Sequence, residues 1–485
     1  MSIDPPVPAT PTRVLRGGRV LIDGVLADRD VLLGADGRIA GLPERGSDSS
    51  GPVAAGGPGH DDVPALDISG LVVLPGLVNA HSHADSQLTR DCLATDRLEA
   101  WIPRAQATAA ALGPEGRALA SQLNALDNVR HGATTTLDHS ALTADEVDAV
   151  ADAYDAVGTR AVVALQTADL PPAAWLPADL HEHAASFPEA TSPSAADLVA
   201  LTTAGVERIA AARRVTAAVG PSAPERCSPA LLAGLAGVAR DHDVPVHVHL
   251  LETALQVRHG DAVARLDEHG LLGPRTAVAH AVHLDDADRG RLAAAGATIV
   301  HDPLCNALLG AGYPDLPAML AAGVPVGLGT DGWTTGGAQD LIGQARVALG
   351  LPRPRVSPEQ WPVPADAWAA MSTGSARAVG LPGLVGEVTV GAHADLLVVD
   401  PVRAGWLDGV DPVLQVVWQG FGAGLRRALV GGEDVLVDGR ATTVDEERLA
   451  HDGARTARRI ADAGRTPEAE ALTAAWTAVL RRIDA

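Results

Sequence analysis

An alternation along the middle of the chain constrains its fold more than any other feature. Eight short runs rich in valine, isoleucine and threonine recur over roughly 300 residues, separated by Ala/Leu-rich stretches: LVVLPGLVNAH, ATTTLDH, RAVVALQT, VTAAVGP, VPVHVHLLE, TAVAHAVHL, ATIVHD and VPVGLGTDG. Strands that alternate with helices form parallel sheets, and eight such units over this length predict an α/β fold, a (β/α)8 TIM barrel spanning residues 75–380. The texture changes on either side. RVLRGGRVLIDG and DVLLGADGRIAGL before the barrel, and GEVTVGAHADLLVVD and RALVGGEDVLVDGRATTV after it, are short strands punctuated by Asp-Gly and Gly-Gly turns. They predict one small β-sandwich domain built from both chain ends, residues 1–74 and 381–445, with a mobile Gly/Pro/Ser/Asp-rich loop at 45–65. Residues 446–485, rich in Ala, Arg and Glu, predict a C-terminal helix.

Ionisable residues stand at the C-terminal end of most of the eight runs: His81 and His83, His139, His249, His280, His301 and Asp331. Catalytic groups of such barrels sit at that end. His81 and His83, two positions apart on a strand, point to the same side and can both reach one ion. His249, His280 and Asp331 end the fifth, sixth and eighth runs, which converge on the same mouth. Imidazoles plus a carboxylate, with one position left for water, describe a catalytic site for zinc or a similar divalent ion. His247 shares the strand face of His249, so either could be the ligand; His283 competes with His280 in the same way.

Composition removes several chemistries. All 37 basic residues are arginine, so the chain has no Schiff-base lysine, no P-loop lysine and no carbamylated lysine to bridge two metals. A formal net charge of −23 argues against a nucleic acid polymer or an anionic membrane as partner. Cys92, Cys227 and Cys305 are too widely spaced for a disulfide framework or a zinc ribbon, which fits a reducing cytoplasm. The opening MSIDPPVPATPTRVLR lacks the apolar core of a signal peptide, and no apolar run approaches the ~20 residues that span a bilayer. The expected protein is cytoplasmic and acts on a small molecule.

PGLVNAHSHA, HVHLLET, AHAVHLD and GLGTDG, in that order, resemble the motifs of the amidohydrolase superfamily. The chain looks most similar to the branch holding cytosine, guanine and S-adenosylhomocysteine deaminases and the triazine hydrolases. GATTTLDH, LTRDCLATDRLEAWI and SARAVGLPGLVGEVTVGAHADLLVVD extend the resemblance over nearly the whole chain. It implies that His81, His83, His249 and Asp331 ligate one divalent metal ion per chain, Zn2+ before Fe2+ or Mn2+. It gives His280 to the attacking water or the substrate, Glu252 to proton shuttling, and Asp331 a second role as acceptor from the same water. The Leu-Glu-Thr that follows places Glu252 in register with His249, and the family's histidine directly after the strand alanine favours His280. Without lysine, the one-metal arrangement of the deaminase branch is the expected state.

The implied reaction is hydrolytic deamination of a small nitrogen heterocycle or amidine, with release of ammonia. One alternative expels chloride, alkylamine or formimino nitrogen with the same machinery. Another is an inactive binding protein, against which the intact ligand set argues. Relatives are commonly homodimers, and the same is expected here. Substrate contacts are assigned to Arg90 and Trp333, to the strand-end residues His139 and His301, and to His283 in the loop after the sixth run. Asn306 occupies the family's Ser-Asn position, with Cys305 in place of the serine. Where many relatives carry Pro-His-Ala-Pro this chain reads Pro221, Ser222, Ala223, Pro224, so Glu225 with Arg226 becomes the candidate polar pair there.

Overall fold

The computed structural model describes residues 10–45 and 63–483, so most of the loop expected at 45–65 lies outside the described residues. Eight parallel strands form the barrel: β1 (Leu77–Ser82), β2 (Ala133–Ser140), β3 (Arg160–Thr167), β4 (Val215–Pro221), β5 (Val246–Leu250), β6 (Thr276–His280), β7 (Thr298–His301) and β8 (Val326–Leu328). They pair in chain order, each beside its sequence neighbour. The ring closes just beyond β8, where the amides of Thr330 and Asp331 donate to the His81 carbonyl at 3.1 and 3.0 Å. These are the eight runs read from the sequence. Strands covered on both faces must be apolar throughout, and all eight positions of β2 are buried.

The first run, LVVLPGLVNAH, does two jobs. Val72–Pro75 belongs to a seven-stranded sheet, between Leu396–Val399 and Arg19–Ile22, and Leu77–Ser82 is β1. Gly76 makes the passage, since a Cβ there would lie 2.0 Å from Thr134 Oγ1. The second sheet of the sandwich has four strands, Pro11–Arg16, Val31–Gly34, Ile39–Gly41 and Ala65–Asp67. Leu15, Val20, Ile39, Val73, Leu396 and Leu429 fill the space between the sheets. Arg160, at the start of β3, donates to both oxygens of buried Asp395 at 2.9 and 3.2 Å and ties the sandwich to the barrel.

The C-terminal stretch is two helices rather than one, Glu446–Ile460 and Pro467–Ile483. The break has a steric cause: Gly464 crosses so close to the helix Leu98–Ala110 that a Cβ would sit 2.3 Å from Thr108 Oγ1, and Pro467 restarts the helix. The second helix seats Trp476 edge-on against Phe187, centroids 4.9 Å apart, in a cluster with Leu176, Leu180 and Leu255. That cluster anchors the segments that roof the barrel mouth. Among the described residues no helix is long and apolar enough to cross a membrane.

Candidate metal centre and active site

Four donor atoms converge where β1, β5 and the end of β8 meet. His83 Nδ1 donates to the His139 carbonyl at 2.6 Å, His249 Nδ1 to the Ser222 carbonyl at 2.6 Å, and His81 Nδ1 to His247 Nε2 at 2.9 Å. The two bonds to carbonyls fix the His83 and His249 tautomers whose Nε2 carries a bare lone pair, and His81 has the same tautomer when its Nδ1 donates to His247. The Nε2 atoms of His83 and His249 are 3.3 Å apart, and Asp331 Oδ1 lies 3.4 Å from His83 Nε2 and 3.7 Å from His81 Nε2. A four-coordinate ion with bonds of roughly 2.1 Å sets ligand-to-ligand edges of about 3.4 Å, so these spacings match one divalent cation. His81 Nε2 is buried with no hydrogen-bond partner, a costly state that a cation at the centre relieves. His81, His83 and His249 together form a compact donor group.

Burial and neighbouring charge act differently on the three imidazoles. Burial first, then the neighbouring imidazoles, holds His81 and His249 well below the ordinary histidine range. Burial also acts to lower His83, but Asp331 and Asp85 outweigh it and the ring is raised. Asp331 is lowered: burial opposes its charge, while His83, His280 and a hydrogen bond from the Gly332 amide more than compensate. The backbone is strained around the site. Leu251, His280, Ala281 and Asp331 all adopt positive φ, between 47° and 69°, and such residues persist where surrounding contacts enforce them.

Glu252 follows β5 and is only 4% exposed. Burial, with Asp331 adding to it, pushes its carboxyl up to about 8. Its Oε2 lies 3.8 Å from His280 Nε2. The Gln256 side chain clamps the turn, accepting from the amides of Glu252 and Thr253 and donating to Glu225 at 2.8 Å. His280 Nδ1 donates to Asn306 Oδ1 at 3.0 Å, with Asp302 Oδ2 3.7 Å away on the same side.

His83, His249, Glu252, His280 and Asp331 all open onto one cavity of about 600 Å³. Its apolar walls include Trp101, Ile102 and Leu198; a polar wall is formed by Gln166, Ser222 and Arg226. Gln166 donates to Ser222 Oγ at 3.1 Å, and the Arg226 guanidinium lies 4.8 Å over the Trp175 ring. At another edge, Arg117 donates to Asp85 at 2.9 Å beside Glu146. None of these wall residues was singled out from the sequence except Arg226. The one legible signal was the helix start Thr143-x-x-Glu146, a capping box that carries Glu146 to the cavity.

Of the residues expected to touch substrate, Arg226 lines this cavity, while Arg90, His139, Glu225, His283, His301, Asn306 and Trp333 do not. Arg90 is exposed and stacks on Trp333, 4.4 Å from the ring centroid, so the two occupy each other. His139 lies beneath the cluster, its ring stacked 4.6 Å from that of His249, and it acts through the carbonyl that holds His83. Glu225 braces Gln256, and Asn306 braces His280. His283 Nε2 bonds the Ala311 carbonyl in the loop beyond β6. His301 points outward, against Leu316, Leu320 and Leu349 between sheet and helices. Side chains alternate along β7, so Asp302 is the residue that faces inward to His280. His247 likewise sits behind His81, while His249 contributes to the cluster.

A closed parallel barrel with this donor set at its C-terminal mouth defines a class of metal-dependent hydrolases. The sequence comparison agrees: the model of the amidohydrolase family matches residues 72–432, and the chain belongs to that family. It is 33% identical over 392 residues to a 5-methylthioadenosine/S-adenosylhomocysteine deaminase of Syntrophobacter fumaroxidans, covering 79% of this chain and 84% of that one. It is 32% identical over 432 residues to an 8-oxoguanine deaminase of Pseudomonas aeruginosa, covering 84% and 90%. In fold it is similar to a zinc-bound adenosine deaminase from Xanthomonas campestris, with a TM-score of 0.79, 24% identity and coverage of 93% and 99%. It is also similar to the atrazine chlorohydrolase of Arthrobacter aurescens, with a TM-score of 0.77, 22% identity and coverage of 92% and 100%.

Proposed function

We propose that this chain is a mononuclear zinc aminohydrolase that deaminates an amino-substituted nitrogen heterocycle of the purine type. One observation carries the reading: a buried carboxyl, Glu252, pushed up to about 8 by burial, stands beside His81, His83, His249 and Asp331 at one cavity. The relatives named as deaminases of purine compounds support the choice of substrate class. His81, His83, His249 and Asp331 would hold the ion, which when bound lowers the pKa of water toward ~7 and so supplies hydroxide at neutral pH.

The chain's own groups then handle the protons. Asp331, charged and anchored by Gly332, accepts a hydrogen bond from the attacking water and aims it at the ring carbon. Glu252, protonated at neutral pH, sits where it can pass its proton to the departing nitrogen and take one back from the water. His280, turned by Asn306 so that Nε2 faces the cavity, is placed to meet the oxygen of the tetrahedral centre. Trp101 and the other apolar walls exclude bulk water, and Gln166 with Ser222 offers donors and an acceptor to a heterocycle edge.

As part of the same proposal, the enzyme works in the cytoplasm as a homodimer. Three free buried cysteines suit a reducing compartment, and exposed Val402, Leu407 and Trp418 give apolar surface for pairing. The test of the chemistry is Glu252→Gln assayed for ammonia release over a panel of aminated purines, pyrimidines, triazines and guanidino compounds. The variant is expected to keep its zinc and to lose about 10²-fold or more in turnover. An unchanged rate removes Glu252 from the mechanism, and release of chloride or alkylamine without ammonia moves the enzyme to triazine-type chemistry.

A further inference from the structure

A second donor group lies on the substrate side of the first. Glu252, His280 and Cys305 place one ligand atom each within 4.8 Å of one another, and they are 4%, 1% and 0% exposed. Asp331 stands between the two groups. Its Oδ1 faces the histidine cluster, and its Oδ2 accepts from Cys305 Sγ at 2.5 Å and from Thr335 Oγ1 at 3.0 Å. The Glu252 carboxylate, although buried, accepts no hydrogen bond from any described residue and opens onto the cavity.

We propose that Cys305, His280 and Glu252 form a second, weaker metal site, bridged to the first through Asp331, which takes a thiophilic divalent ion and shuts the enzyme down. The absence of lysine rules out a carbamate bridge between two metals; it does not rule out a carboxylate bridge. A thiolate selects zinc or cadmium over magnesium or manganese. Entry is from the cavity, past Glu252 and His280, with Cys305 as the innermost ligand; binding releases the protons of the Cys305 thiol and the Glu252 carboxyl to solvent and involves no change of oxidation state. Zinc bonds of about 2.3 Å to sulfur and 2.0 Å to nitrogen set an edge of about 3.5 Å. The 3.8 Å from Glu252 Oε2 to His280 Nε2 is wider than the 3.3 to 3.7 Å of the first cluster. The second ion must therefore draw its ligands inward, and it binds more weakly. It also occupies Glu252 and His280. The inhibition rests on the catalytic roles proposed for those two residues; the binding does not.

The experiment starts from protein holding one equivalent of zinc and titrates cadmium. It follows bound metal by equilibrium dialysis, retained zinc by elemental analysis, the ultraviolet cadmium–thiolate absorption, and ammonia release. A second equivalent should bind about tenfold or more weakly than the first, with thiolate absorption rising and activity falling in step. Cys305→Ser should keep the first zinc, lose the absorption, and need about tenfold or more added zinc for the same fractional inhibition. Absence of a second bound ion, or a second ion without thiolate absorption in the wild-type chain, overturns the site. Should Cys305→Ser not fold, the wild-type absorption titration decides alone. Thiolate-linked binding with activity unimpaired keeps the site and refutes the proposed role of Glu252 instead.

Discussion

Replacing His247 by phenylalanine separates the ligand from its support. Burial first, then the charges of His83 and His280, pushes the His247 pKa down to about 3, so its ring is neutral and its Nε2 accepts from His81 Nδ1 at 2.9 Å. The two rings stack at 5.0 Å, and phenylalanine can keep that packing while removing the acceptor. His81 is then left with a buried N–H unpaired, at a cost of about 1–3 kcal/mol. Its Nε2 lone pair is also no longer fixed by a tautomer. Loss of such a supporting bond weakens metal affinity by about 10–100-fold, or roughly 1.4–2.7 kcal/mol. His249→Phe removes a donor outright and should cost more than His247→Phe. The measurement is the zinc dissociation constant, by competition with a chromogenic chelator, with near-ultraviolet circular dichroism to show that both variants are folded. If His247→Phe binds zinc as tightly as the wild type, the support argument fails. If it loses more than His249→Phe, the two histidines have been assigned the wrong way round.

Zinc affinity should fall on acidification, and His83 should be the group that starts the fall. Its raised pKa in the metal-free protein means that protons compete for it above the ordinary histidine value, while lowered His81 and His249 stay neutral; below that pKa, affinity should drop about tenfold per pH unit, and a pH-independent constant would contradict the assignment. Asp395→Ala should destabilise the fold by about 3–5 kcal/mol, because it leaves the Arg160 guanidinium buried without its partner; an unfolding free energy in urea changed by less than about 0.5 kcal/mol would show the pair to be incidental. Gly329→Ala would set a Cβ 2.3 Å from Asp302 Oδ1 and 2.8 Å from His81 Cβ. A loss of about 1–3 kcal/mol in stability, together with weaker zinc binding, is expected, and a variant with wild-type zinc affinity would mean the strand end yields without moving the ligand.

The sequence is informative where local period and chain geometry decide the outcome. Short β-branched runs alternating with Ala/Leu-rich stretches located all eight barrel strands, and the spacing of His81 and His83 put two donors on one face. It is less informative beyond the strand ends. There, side-chain direction depends on what packs against the loop: Arg90 meets Trp333, Asn306 meets His280, and Glu225 meets Gln256, all outside the cavity. Alternation was available as a signal at β7 and would have chosen Asp302 over His301. Gln166, Arg117 and Trp175 had no such signal, because they reach the cavity from β3, from the helix after β1 and from the loop after β3, whose relative placement only the closed barrel supplies.

The split of the first run at Pro75 and Gly76 bears on when the site can exist during synthesis. Val72–Pro75 has one sheet neighbour already made, Arg19–Ile22, and another, Leu396–Val399, that leaves the ribosome more than 300 residues later. The Val72–Pro75 strand, which leads directly into the one that carries His81, therefore stays paired on one side only until nearly the whole chain is out. Pairings across such separations are slow to form. A nascent chain halted just after Asp331 would hold every donor of the candidate metal cluster, yet lack the strand that pairs with Val72–Pro75, the segment leading into the first of them. Metal capture should therefore be a late event of biogenesis, and chains cut short of residue 396 should fail to retain zinc despite carrying all four ligands.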